Sequence, residues 1–232
     1  MRRKPSAGAG GINKIMKKPE KFEKRLLMCI SGVIICAISV GFFKRAVFGV
    51  DPLQSFMSGL SALVPISFGT LYVITNILLL LFSLIADRHY IGIATFINLF
   101  LVGYIADFSH KTLLNLLPDL GLPGRIFCLL FAIVIMCLAS SLYFTADLGV
   151  STYDAVALII TGTWHKGQFR WVRIICDFVC VALGILLYLI SGGNLSGIAS
   201  IAGIGTIITA FFMGPLIDFF NRKVAQPLLN GK

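Results

Sequence analysis

The sequence predicts an all-α, polytopic membrane protein built from two homologous halves, with about six transmembrane helices and two short membrane-dipping helices. Three observations carry this expectation. First, 57% of the residues are apolar and only 13% are charged, with a mean hydropathy of +0.92; a soluble domain carries about 25% charge. Second, the apolar residues fall in uncharged runs near the length that spans a bilayer as a helix, about 20 residues. Third, one apolar stretch occurs twice. Thr95, Ile97, Phe100, Gly103, Asp107 and Phe108 reappear as Thr206, Ile208, Phe211, Gly214, Asp218 and Phe219 at a constant offset of 111. Duplicated membrane halves are a common plan of transporters, with the working site between the halves.

The runs are continuous rather than alternating, so the spanning elements are helices and not barrel strands. Residues 1–25 form a basic, flexible cytoplasmic arm holding nine of the twenty lysines and arginines. Such a flank stays in the cytoplasm, and it also suits anionic lipid headgroups. The apolar run Leu26–Phe43 is longer than a signal-peptide core and lacks a small-residue cleavage site before Lys44, so it reads as a retained first helix. The first membrane repeat covers 26–110, with helices at about 26–46, 52–64, 67–86 and 91–108. A linker at 111–125 follows. The second repeat covers 126–220, with helices at about 126–146, 152–164, 171–190 and 198–220. A cytoplasmic tail, 221–232, ends the chain.

The duplication extends backwards from the opening motif. Phe48-Gly-Val-Asp-Pro52 matches Leu148-Gly-Val-Ser-Thr152 at an offset of 100, and Asn76 matches Asp177 at 101. The offset grows to 111 because the Gly192–Gly203 linker is longer than its counterpart. Each Gly-Val opens a segment of about 13 residues, roughly 20 Å as a helix at about 1.5 Å per residue. That is too short for a hydrocarbon core of about 30 Å. Their starts carry helix signals. Asp51 precedes Pro52 at the first helical position, and Ser151 precedes Asp154 in the spacing of a capping box. If the short helices do not span, each half crosses three times and the halves are inverted. If they span, each half crosses four times and the halves are parallel. Both arrangements leave most Lys/Arg and both termini in the cytoplasm; six crossings is the favoured arrangement.

These residues resemble the YczE/YyaS/YitT family of bacterial membrane proteins. The resemblance rests on Gly49-Val-Asp-Pro52, Ile66-Ser-Phe-Gly69 with Asn76, and Ile91-Gly-Ile-Ala-Thr95. In the second half it rests on Leu148-Gly-Val150 with Tyr153-Asp154, Arg173 with Asp177, and Ile204-Gly-Thr206 with Gly214-Pro215. It covers roughly residues 26–225. Ala94 departs from the pattern, which carries glycine there as the second copy does at Gly205. The resemblance implies a multi-pass protein of the bacterial cell membrane, largely uncharacterised, for which a transport role is commonly supposed.

Asp177 is the most informative charged residue. It sits inside an apolar run, four residues after Arg173, so the two can pair on one helix face. Ionisable residues inside membrane segments are functional candidates, and the alternative is a structural ion pair. Asp51, Asn76, Ser151, Asp154, Arg173 and Asp177 are therefore the candidate substrate-binding set. Thr95, Gly103, Asp107, Thr206, Gly214 and Asp218 are the repeat framework, with the glycines read as close helix-packing positions and the aspartates as helix ends at the membrane boundary. Pro215 and Gly192-Gly193 read as breaks. The six cysteines read as small packing residues, with no metal-site spacing. No cofactor is expected. No catalytic motif is present, so an enzyme is not expected, and nothing beyond charge suggests nucleic acid. The expected function is a small secondary transporter or facilitator for a small, candidate anionic solute, because two convergent helix N-termini would favour an anion. The alternative is a non-catalytic membrane scaffold or regulatory partner of a cytoplasmic protein.

Overall fold

The computed structural model describes residues 21–231 and is all-helical. Most of the basic arm, residues 1–20, lies outside the described residues. The first half contains α1 (Phe22–Ala46), α2 (Pro52–Leu63), α3 (Phe68–Asp87), a 3₁₀ turn at Arg88–Tyr90, and α4 (Ile93–Leu116). The second contains α5 (Leu122–Ala146), α6 (Thr152–Leu158) prolonged by a π turn at Ile159–Thr163, and α7 (Phe169–Ile190). After a 3₁₀ turn and the single turn α8 (Ile198–Ile201) come α9 (Ile204–Phe220), a π turn at Asn221–Ala225 and the short α10 (Gln226–Asn230).

Among the described residues, five helices are long and apolar enough to cross a membrane: α1, α3, α4, α5 and α7. A sixth span results if the bent pair Leu195–Ala210 and Phe212–Asn230 is one crossing, with a bend of 57°. Pro215 accounts for the place of that bend. It has no N–H to give the carbonyl of residue 211, and its ring crowds that carbonyl. The short helices α2 and α6 do not reach spanning length: α2 has 12 residues, about 18 Å at about 1.5 Å per residue. Several boundaries differ from expectation. The first helices of the two halves begin earlier, at Phe22 and Leu122. The fourth helix runs on to Leu116, since Ser109-His110-Lys111 stay helical where they meet the end of α1, so the connection to α5 is only 117–121. The last segment is interrupted at Ala202-Gly203, where backbone hydrogen bonds leave the helix.

The core forms around α1, which packs against α5 on one side and α4 on the other. Met28, Val33, Val40 and Phe43 of α1 are buried against Ile133 and Met136 of α5 and Val102 of α4. α1 and α5 run antiparallel. Arg25 Nη1 donates to the carbonyls of Thr145 and Ala146, and Cys36 Sγ lies 3.4 Å from Met136 Sδ near mid-helix.

The short helices are held by the other half. α2 lies along α7, where a Cβ on Gly59 would come within 2.1 Å of the Gly184 carbonyl oxygen. α6 packs against α3, and Thr163 Oγ1 donates to Asp87 Oδ2 at 2.6 Å. The outward faces of α3, α4 and α7 are apolar and exposed, among them Leu78, Ile85, Phe100, Phe108, Ile175 and Phe178. Exposed apolar faces of this extent belong in lipid.

Charges separate between the two ends. Lys21 reaches the carbonyls of Leu229 and Asn230, and Thr145 reaches Asn221, so the start of α1 shares an end with 145–150, 221–230 and Tyr90. Lys44, Asp107 and Lys111 line a hollow at the opposite end. In a cysteine-free background, Arg88→Cys should therefore label from the face that carries Lys21, and Lys111→Cys from the other face. The reversed pattern would contradict the six-crossing arrangement.

Candidate functional site

Each half has a break between its first long helix and its short helix, and the two breaks share a geometry. α1 ends at Val47 (φ 62) and α5 at Asp147 (φ 50), both left-handed. Gly49 (φ +94) and Gly149 (φ +114) follow. An L side chain is strained at these angles, and there is also no room for one. A Cβ on Gly49 would lie 2.4 Å from Gly203 N and 2.5 Å from Thr206 Oγ1. On Gly149 it would lie 2.6 Å from Gly92 N and 3.1 Å from Thr95 Oγ1.

Each break thus seats on the start of the last long helix of the other half. The Ala94 N–H donates to the Leu148 carbonyl at 3.0 Å, and the Gly205 N–H to the Phe48 carbonyl at 2.7 Å. Ala94 is fully buried and makes the same bond as Gly205, so the departure at this position leaves the contact intact. Thr95 Oγ1 donates to the Val150 carbonyl at 2.6 Å and accepts from the Gly92 N–H. Thr206 Oγ1 has no hydrogen-bond partner among the described residues. Thr95 is therefore a clamp residue at its break, Thr206 only stands beside Gly49 at the other, and neither is part of the cavity lining. Gly103 packs against Gly69, as expected of a small residue between helices. Gly214 does not: nothing lies within 4 Å of a Cβ placed there, and it forms part of a cavity wall instead. Asp107 and Asp218 pair with Lys111 and Arg222 one turn on; Asp218 is in the last turn of α9, whereas Asp107 lies inside α4, which continues to Leu116.

Past the breaks the chain caps both short helices. Asp51 accepts from the Gln54 N–H, with Pro52 in the first turn. Ser151 accepts from the Asp154 N–H at 3.0 Å and donates to Asp154 Oδ2 at 2.7 Å. Each short helix thus has a first-turn amide already taken by a side-chain acceptor, and Asp51 places a carboxylate where an anionic ligand would sit.

All six candidate binding residues line one cavity of about 390 Å³ between the halves: Asp51, Asn76, Ser151, Asp154, Arg173 and Asp177. Arg173 is its hub. Its Nε lies 3.2 Å from Asp177 Oδ1, its Nη1 bonds Asp154 Oδ1, and its guanidinium stacks 4.3 Å from the centre of the Tyr153 ring. Tyr153 donates its hydroxyl to Asp177 Oδ1 at 2.6 Å. Asn76, 1% exposed, accepts from Thr152 Oγ1 at 2.5 Å and donates to the Tyr72 carbonyl. Tyr72 in turn donates to Asn98 Oδ1 at 3.3 Å. The start of α6 is thereby tied to both α3 and α7.

Sequence reasoning missed Tyr72, Asn98, Thr152, Tyr153, Gln54 and Tyr143. Two had a readable signal: Tyr153 adjoins Asp154, and Tyr72 precedes Asn76 by one turn, so each shares a helical surface with a candidate. Asn98 and Tyr143 come from α4 and α5, and only the packing brings them in. Among the described residues, no group of His, Cys, Asp or Glu is placed to hold a metal ion.

The Arg173 hub is part-buried, so its pairs fall between exposed and buried ion pairs in strength. Replacing Arg173 by Met leaves Asp154 and Asp177 together without a cation. Thermal unfolding in detergent should report a loss of about 1–3 kcal/mol after allowance for solvent screening. Adding Asp154→Asn to that variant should recover part of it, through removal of the like-charge contact.

Comparison with known proteins adds a family. The chain is 21% identical over 199 residues to the uncharacterized protein YyaS of Bacillus subtilis (strain 168), across 86% of this chain and 93% of that one. The likeness read from the motifs thus extends over most of the chain. No solved structure matches. A profile of a family of unknown function, DUF6198, matches residues 23–222, and the chain belongs to that family.

Proposed function

We propose that this integral membrane protein is a small solute transporter or facilitator built by inverted duplication, with the cavity between its halves as the solute site. The observation that carries the proposal is the cavity. Three carboxylates, one guanidinium, two asparagines and three tyrosines converge in it, contributed by both halves. Ionisable groups inside a membrane fold are costly to keep without a role. In transporters the site lies where broken helices of two repeats meet, and this cavity adjoins both breaks.

The duplication is supported by the offsets of 100, 101 and 111, by the antiparallel α1 and α5, and by the reciprocal seating of the breaks. The end carrying Lys21, Lys24, Arg25, Arg88, Lys166, Arg222 and Lys223 is assigned to the cytoplasm by the positive-inside rule. The expectation of an anionic solute is revised. Capped helix N-termini and two carboxylates in excess of the one guanidinium favour a solute with a positive group, as a cation or a zwitterion.

Liposomes bearing the purified protein and loaded with a bacterial small-metabolite extract test this. Mass spectrometry of the retained contents should show a defined subset released by the wild-type protein and kept by Asp177→Asn. Retention by wild-type vesicles equal to that of protein-free vesicles would sink the transport reading.

A further inference from the structure

We propose that the cavity binds a small organic ammonium group through Asp51 and Gln54. The assignment rests on the cavity being the solute site and names the chemistry of its ligand. Arg173 is committed to Asp154 and Asp177, which it bridges. Asp51 has no cation within ion-pair distance among the described residues; its carboxylate accepts only from backbone N–H groups of its own helix, those of Gln54 and Leu53. Gln54 is 4% exposed, lines the same cavity one helical turn away, and its side-chain oxygen has no hydrogen-bond partner among the described residues. Tyr143 is 7% exposed, lines the cavity from α5, and its hydroxyl is also unpartnered.

A buried acceptor without a donor is unfavourable, by roughly 1–3 kcal/mol in mutational data. The missing partner at Gln54 must be a donor, and the carboxylate of Asp51 beside it, outside any ion pair, favours a positive one. A primary or secondary ammonium supplies both, with several N–H groups on one charged centre. A carboxylate or phosphate would face Asp51 and the Gln54 oxygen without a donor. The remaining wall is largely apolar, including Val33, Val102, Met136 and Met213, and so accepts a short hydrocarbon or other uncharged body attached to the ammonium. A volume of about 390 Å³ lies in the range of small-molecule sites, about 300–1,000 Å³.

The test uses purified full-length protein and reads binding alone. Thermal unfolding is measured with propylammonium chloride, tetramethylammonium chloride or sodium propionate, each against sodium chloride at equal ionic strength. Propylammonium should raise the unfolding midpoint in a saturable way, tetramethylammonium less because it has no N–H, and propionate not at all. Asp51→Asn keeps a good helix cap and should weaken propylammonium binding by about tenfold or more. Restoring the charge with Gln54→Glu in the Asp51→Asn background should recover binding. Stabilisation by propionate, equal stabilisation by both cations, or unchanged propylammonium binding in Asp51→Asn would each overturn the assignment. The outcome is distinct from that of the release assay: binding without release removes the transport reading alone, and release of anions alone removes the ammonium assignment alone.

Discussion

The structure depends on how two interrupted backbones are satisfied inside an apolar environment. A helix that stops within a membrane leaves carbonyls without partners, and hydrocarbon offers no water to take their place. Here the Phe48 and Leu148 carbonyls, just past the ends of α1 and α5, are met by amides at the start of α9 and α4. Gly49 and Gly149 make this possible because only a residue without a Cβ lets the two backbones come so close. Remove either contact and a break becomes a set of unpaired polar groups. Each half therefore requires the other, and the cavity is where the two short helices that leave these breaks begin.

The two seats are unequal. At Gly149 the chain makes three bonds with the other half: Ala94 N to Leu148 O, Thr95 Oγ1 to Val150 O, and Val150 N to Tyr90 O. At Gly49 it makes one backbone bond, and the equivalent threonine, Thr206, is unpartnered. The polar residues follow the same division. α6 starts with Thr152, Tyr153 and Asp154, which bond Asn76, Asp177 and Arg173 in turn. α2 starts with Asp51 and Gln54, which bond none of them. One side of the cavity is closed upon itself, and the other presents unfilled acceptors.

Much of this was legible from residues whose meaning is local. Gly-Val followed by Asp-Pro or Ser-Thr marks a helix end, a tight backbone and a new cap within five residues, and the short helices begin where those signals place them. Arg173 and Asp177 lie one turn apart, so their pairing needs no tertiary knowledge. Asp154 joining that pair, and Thr152 meeting Asn76, depend on a crossing between helices that no spacing encodes. Gly103 and Gly214 occupy equivalent places in the sequence, yet one packs against Gly69 and the other opens on the cavity, a difference that their spacing does not encode. The proposed shift from an anionic to a cationic solute has a related basis. A helix N-terminus attracts an anion only while its amides are free, and the sequence's own caps, Asp51 and Ser151, occupy them.

Cross-linking between the breaks and their seats tests the reciprocal arrangement most directly. A protease site is placed in the 117–121 connection of a cysteine-free chain, so that cleavage separates the halves. Paired cysteines are then introduced at Phe48 with Ile204 and at Leu148 with Ile93, and joined by a short bifunctional thiol reagent. Both pairs should hold the cleaved halves together on a denaturing gel, while the pairs Phe48 with Ile93 and Leu148 with Ile204 should let them part. Halves that part with the first two pairs, together with efficient closure within each half by the second two, would contradict the account.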